Sequence, residues 1–388
     1  MIKNLCLSCF LYLIILSCNP ENSSKREENI TSKSVNYKDQ TKINHAQGFT
    51  ITYHNNYKIV SILSPFETAT DTSKYILLEK GTPRPKGFED AQVINIPVTS
   101  IVATSSMHAA LLEFLDSENI ITGLSNPQYI YSPKIQARIE AGKVANIGRD
   151  QGLNNEKLVE MHPNVLMAMG GPGAKVDQYS ILTQAGIPIL INSEWIEKTP
   201  LARAEWVKLI AALLNKEELV NDKFGKIENE YLRLAQLAKE VKIKPSVISG
   251  LNTKDAWFLP NGDSYMSQFF RDAGGDYHWS NMKATGSLPL NFESVYPIAL
   301  KADAWLNVGF DKSDTKANIL AQDSRYSDFK AYKSGQMFSY NGRVNEQGAN
   351  DFFESGTVNP HTVLSDLIKI LHPELLPNHN LVYYKQLK

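Results

Sequence analysis

Between residues 48 and 80, apolar and polar positions alternate with a period of two: Phe49-Thr50-Ile51-Thr52-Tyr53, then 57–62, then 75–78, with His54-Asn55-Asn56 as the first turn. Residues i and i+2 share one face of a strand, so the stretch predicts an antiparallel meander. Further on, short apolar runs alternate with segments of helical spacing. Strands are predicted at 101–104, 120–124, 164–168 and 187–191, and helices near 106–115, 155–161 and 179–185. This alternation predicts a parallel sheet with helices on both faces.

Residues 201–223 contain neither glycine nor proline, and Val220, Phe224, Ile227, Tyr231, Leu234, Ala238 and Val241 recur at three and four residues. That spacing predicts one amphipathic helix of over about 20 residues, roughly 30 Å long and able to brace two lobes. The alternation then resumes, with strands at 246–249, 256–259, 304–308 and 336–340 and helices at 265–273 and 362–371. The halves share a phrase. Leu153-Asn154-Asn155-Glu156 precedes Pro163-Asn164-Val165-Leu166, and Leu290-Asn291-Phe292-Glu293 precedes Ala302-Asp303-Ala304-Trp305. Each reads as a helix opening on Asn and Glu and leading into a strand.

The predicted fold is therefore α/β: two Rossmann-like lobes joined by a long rigid helix, with a ligand cleft between them and a β-meander in front. The expected bounds are 48–94 for the meander, 95–198 for the first lobe, 199–243 for the interlobe segment and 244–388 for the second lobe.

Composition narrows the function. Lys plus Arg is 40 and Asp plus Glu is 41, a formal charge of -1, so no global field draws the chain to nucleic acid. Cys6, Cys9 and Cys18 are the only cysteines, which leaves the body without a disulfide, a thiolate metal site or a cysteine nucleophile. Lys3 followed by the apolar run 5–16 reads as a signal peptide over 1–17, too short to span ~30 Å of hydrocarbon. Its end, Ile15-Leu16-Ser17-Cys18, resembles the lipobox of bacterial lipoproteins, which makes Cys18 the expected acylated residue. Residues 18–47 are polar and read as a flexible tether. The expected location is the periplasm, anchored by lipid to a bacterial membrane.

No nucleophile elbow, phosphate loop, metalloprotease helix or dinucleotide fingerprint is present, and the eight histidines are scattered. Neither a cofactor nor a bare-metal site is expected. Gly170-Gly171-Pro172-Gly173 reads as a tight turn, and His108 as either a ligand contact or an ordinary helix residue. Aromatic and polar residues near strand ends are the expected ligand contacts: Tyr129, Tyr131, Met169 and Trp195 from the first lobe, and Trp257, Ser264, Tyr265 and Arg343 from the second.

Together these residues resemble the periplasmic binding proteins with a rigid interlobe helix that deliver iron-siderophore, haem or cobalamin to importers of the ATP-binding-cassette (ABC) type. The resemblance covers roughly residues 95–375. It rests on the paired phrases, with Asn164 replacing the usual Asp, on Ala273-Gly274-Gly275, on the run 329–338 and on His372-Pro373-Glu374. Thr199-Pro200-Leu201-Ala202-Arg203-Ala204-Glu205-Trp206 resembles a subgroup in Bacteroidetes-type bacteria. The chain departs from the family at Thr104-Ser105-Ser106, where a Ser-Pro-Ser turn is usual.

The resemblance implies a substrate-binding lipoprotein rather than an enzyme. Its ligand would be an iron-siderophore type chelate or, alternatively, a corrinoid such as cobalamin, and its partners an ABC permease and its ATPase. Glu156 and Glu293 would be the docking carboxylates. An enzyme on the same scaffold would need an acid/base pair, and Glu194, Glu197, Asp263 and Asp351 show no pairing in their spacing. A lipid-anchored surface sensor or adhesin is the third reading.

Overall fold

The computed structural model describes residues 37–63, 72–149, 152–170, 176–253, 256–309 and 311–388. Cys18, the leader and residues 171–175 of the glycine-rich turn lie outside them. Strands β1 (Phe49–Tyr53), β2 (Tyr57–Leu63) and β3 (Thr72–Glu79) pair antiparallel in sequence order, and β4 (Gln92–Ile96) adds in parallel to β3. Val60, Ile62, Tyr75, Leu77, Ile94 and Ile96 are buried.

The first lobe follows as β5 (Ile101–Ala103), α1 (Ser106–Phe114), β6 (Ile121–Leu124), α2 (Pro133–Glu140), β7 (Ala145–Asn146), the short hairpin β8 (Gly148–Arg149) and β9 (Gly152–Leu153), α3 (Asn155–Met161), β10 (Val165–Met169), α4 (Ser180–Gln184) and β11 (Ile189–Asn192). Its parallel sheet has the order β11-β10-β5-β6-β7. The winding reverses between β5 and β10, and in such sheets ligands bind beyond the carboxyl ends of the strands.

Three helices leave this lobe: α5 (Pro200–Glu205), α6 (Val207–Leu214) and α7 (Glu217–Lys239). The periodic stripe Val220, Phe224, Ile227, Tyr231, Leu234 and Ala238 is the buried face of α7. At 23 residues the helix is about 35 Å long. Near its start, Lys223 donates to Phe114 O (2.8 Å) and Asp116 Oδ2 (2.7 Å) of the first lobe; further along, Tyr231 donates to Asp272 of the second lobe (2.6 Å). One rigid element therefore holds both lobes.

The second lobe contains β12 (Ser246–Ser249), β13 (Asn252–Thr253), β14 (Ala256–Pro260), α8 (Tyr265–Asp272), β15 (Asp276–Tyr277), β16 (Ser287–Leu290), α9 (Phe292–Ala299), β17 (Ala304–Leu306), α10 (Lys316–Gln322), α11 (Lys330–Ser334), β18 (Phe338–Ser339), α12 (Ser355–Val358), α13 (Pro360–Leu371) and β19 (Lys385–Gln386). Strands β15-β12-β17 form a parallel sheet, extended by a bridge from Trp305 to Met337. Strand β14 does not join it. It pairs antiparallel with β13 and β16 in a separate sheet. Gly274, after α8, has φ +74 and an added Cβ would lie 2.9 Å from Ala238 O at the end of α7, so glycine is required there.

The repeated phrase is structural in both lobes. Asn154 and Asn291 cap α3 and α9 by accepting from Lys157 N and Ser294 N (3.0 and 2.8 Å). Asn164 Oδ1 accepts from Thr99 N and Ser100 N, and Asp303 Oδ2 from Ser246 N and Oγ, each tying a strand start to its neighbour. An amide oxygen does the work of the carboxylate, which accounts for Asn in the first copy.

Residues 37–47 are not free tether. Asn44, His45 and Ala46 donate their backbone N–H groups to Glu205, and Gln47 and Gly48 donate theirs to Glu197. These buried carboxylates need several donors, and the polar segment supplies them.

Candidate functional site

A cleft of about 820 Å³ lies where strand ends of the second lobe face the turn after β11. Ser249 ends β12, while Asn307 follows β17 and Tyr340 follows β18; all three line the cleft at carboxyl ends of strands. The facing wall is the turn Trp195-Ile196-Glu197. Strand β14 adds Phe258, the start of α8 adds Ser264 and Tyr265, and the loop before α12 adds Phe352 and Phe353. Tyr340 stacks on Phe352 with centroids 4.8 Å apart and planes at 17°. The cleft is thus walled by aromatic faces and by Ser, Asn and Tyr side chains, with Glu197 and Asp263 as acidic members of the lining.

Of the expected contacts, Trp195, Ser264 and Tyr265 come together here. Ser264 is the N-cap of α8: its Oγ accepts from Ser267 N (3.2 Å) and donates to Asn261 O (2.6 Å). Tyr265 carries the Arg203 guanidinium over its ring at 4.2 Å. Arg203 also pairs with Glu194 at 3.4 Å and lines a recess of about 80 Å³ that shares Tyr265, Phe352 and Phe353 with the cleft. Burial pushes the Glu194 carboxyl up, against the pull of Arg203. Burial works against the Arg203 charge too, but Tyr265 and Glu194 outweigh it and its affinity for a proton rises.

Trp257 is a correction. It is 0% exposed, donates Nε1 to Ser249 O (2.9 Å) and packs with Phe292, Trp305, Tyr326 and Phe329. Strand alternation turns its neighbour Phe258, 53% exposed, into the cleft instead.

Tyr131 and Arg343 are also corrected, since they meet each other away from the cleft. The guanidinium lies 5.2 Å from the Tyr131 ring, in a depression of about 360 Å³ that includes Asp351 and Glu354. The Arg343 charge is taken up there by Asp351, with Nε 2.7 Å from Oδ2. In the same place the second lobe grips the first: Glu354 accepts from Tyr131 N and Ser132 N (2.7 and 2.8 Å), and Asn345 donates to Ile130 O (3.1 Å). Tyr129 is 56% exposed and outside the cleft, as is Met169, at the end of β10. His108 is fully buried in α1, and burial pushes its pKa down to about 3, so it belongs to the core.

Glu156 and Glu293 are exposed in the first turns of α3 and α9, with Glu293 3.6 Å from Arg325. Phe353 and Arg203 were missed by sequence reasoning. The first sits in an irregular loop with no periodicity, and the second inside a motif whose ring partner, Tyr265, is distant in sequence.

Residues 101–344 match the family described as periplasmic binding protein. An uncharacterized lipoprotein of Methanocaldococcus jannaschii is 29% identical over 315 residues, covering 78% of this chain and 73% of that protein. The fold is shared with the periplasmic vitamin B12 binding protein of Vibrio cholerae (TM-score 0.53, 13% identity, 73% of this chain and 99% of that one). It is shared equally with the periplasmic heme binding protein of the same organism (TM-score 0.53, 17% identity, 69% and 98%).

Proposed function

The chain belongs to the periplasmic binding protein family, and from that premise we propose that it is the substrate-binding lipoprotein of an ABC importer, capturing one metal chelate in the cleft and passing it unchanged to a membrane permease. The carrying observation is the cleft: aromatic faces from both sides, at strand carboxyl ends. Aromatic walls remove the apolar rim of a large chelate from water. The iron-siderophore type is the first candidate and a corrinoid the second; similarity to proteins named for vitamin B12 and heme supports a chelate of this size. Trp195, Ser264 and Tyr265 are assigned as contacts, with Glu156 and Glu293 as the pair that engages the permease and Cys18 as the anchor in the periplasm.

Native mass spectrometry against ferric siderophores, haem and cobalamin tests the reading. One bound chelate, with Trp195-dependent quenching of fluorescence, is expected. Failure of every chelate to bind, or chemical turnover of one of them, overturns it.

A further inference from the structure

Of the contacts expected from the first lobe, Trp195 alone lines the cleft, and it is half-buried there. It stands on a single 3₁₀ turn, Glu194–Ile196, that no side chain caps. Ile196 N bonds to Ser193 O and Glu197 N to Glu194 O, each at 3.1 Å. So short a turn closes too few bonds, of too poor a geometry, to hold its own shape. It is fastened instead at both ends by buried carboxylates. Glu194 pairs with Arg203 at 3.4 Å, within the first lobe's own exit segment. Glu197, 6% exposed, reaches further: it accepts from Gly48 N (2.8 Å), from Gln47 N (3.0 Å) and from Trp206 Nε1 (3.0 Å). Bonds from N–H donors to a charged oxygen are among the strong ones.

What Glu197 is fastened to is itself firm. Gly48 O accepts from Leu63 N of β2 (2.7 Å), and Trp206, 0% exposed, packs on Phe49 of β1 with centroids 4.8 Å apart. The approach is close: a Cβ added at Gly48 would lie 2.7 Å from Trp206 Cζ2 and 3.0 Å from Glu197 Oε1, so a larger residue there would push ring and carboxylate apart. Gln47 and Gly48 do not line the cleft, and they precede the segment 101–344 that matches the family.

We propose that Glu197 is a positioning residue for ligand binding: by tying the Trp195 turn to the backbone ahead of β1, it presets the indole against which the chelate rests. The segment at 47–48 thereby becomes part of the binding machinery from outside the matched family segment. The inference rests on the chelate-binding reading above and deepens it. A wall ordered before the ligand arrives spares the cost of ordering it on binding, and a contact group must be held within about half an ångström to count in full.

The test is a double-mutant cycle in the full chain, read by calorimetry well below the melting temperature. Ferrichrome, iron(III) enterobactin, haem and cyanocobalamin are the probes, and the one that the wild type binds tightest is carried through Trp195→Ala, Glu197→Ala and the double variant. Each single change should weaken binding by about tenfold, and Glu197→Ala should cost less than about twofold once Trp195 is already alanine, because a residue acting through another loses its effect with it. If Glu197→Ala does not fold, Gly48→Ala takes its place, displacing the same carboxylate from the opposite side, with the same dependence on Trp195. A role in folding alone would lower the melting temperature and leave the affinity of the folded protein unchanged; that result, or losses that simply add, overturns the positioning role and leaves the chelate reading intact. Unchanged affinity in Trp195→Ala overturns both the contact and its positioning. Silence of all four probes overturns the chelate reading and this inference with it.

Discussion

Trp257 and Phe258 are consecutive on β14 and have opposite environments, so they give the sharpest test at the level of single side chains. Trp257→Ala should empty a fully buried site and cost about 3–5 kcal/mol in a denaturant titration. Phe258→Ala should leave the midpoint nearly unchanged and weaken chelate binding, measured by calorimetry, by roughly tenfold. Affinity lost in the Trp257 variant with stability intact would reverse the two roles. Glu354 carries a pH signature. Burial, and then the neighbouring Asp351 and Glu113 charges, push its pKa from the ordinary 4.5 to about 7, against the two backbone donors at Tyr131 and Ser132. The folded chain thus holds this proton over a window in which the unfolded chain has released it. Its contribution to stability is present in full below about pH 4.5 and declines toward pH 7, by up to about 3 kcal/mol. Unfolding curves at pH 5 and pH 8 should show the difference, and Glu354→Gln should remove that part of it; equal slopes for wild type and variant would refute the assignment.

Elements were legible in proportion to their periodicity. The stripe from Val220 to Ala238 repeats every three or four residues, and α7 follows it; Val241, the last member expected, lies just past the helix end. Strand β14 was legible as a strand, but neither its partners nor its inward face were, because a period of two says that faces alternate and leaves open which one is core. The loop carrying Asn345, Phe353 and Glu354 has no period at all, and its contacts lie over 200 residues away, at Ile130 to Ser132. Residues 37–47 misled by composition. Polar side chains read as tether, yet the backbone N–H groups of residues 44–47, which any sequence has, bind Glu205 and Glu197, helped by the Tyr37 hydroxyl on Glu79 and by His45 on Glu228. Glu205 is the residue to change: it also pairs with buried Lys208 at 2.6 Å. Glu205→Ala should free residues 44–46 to hydrogen exchange and, by stranding Lys208, cost about 3–5 kcal/mol. Retained protection at those amides would count against this attachment.

At the scale of the whole molecule, α3 and α9 present Glu156 and Glu293 from matched Asn-capped helix starts, one per lobe. Reversing both charges to Lys should abolish uptake in cells while chelate affinity and melting temperature hold; surviving uptake would remove the pair from docking. Cys18→Ser should move the protein from the membrane to the soluble fraction, and continued membrane attachment would rule out the anchor. The attachments of residues 37–48 also have a mechanical meaning. Any pull on the amino end meets Tyr37 on Glu79 first, then Thr41 on Tyr53, then the Glu205 cluster, and Glu197 last. Links arranged end to end along the chain are loaded one after another, and twelve residues drawn out straight would span about 40 Å. Of these links Glu197 alone lines the cleft, so tension on the amino end would reach the cleft wall only after the earlier attachments had opened.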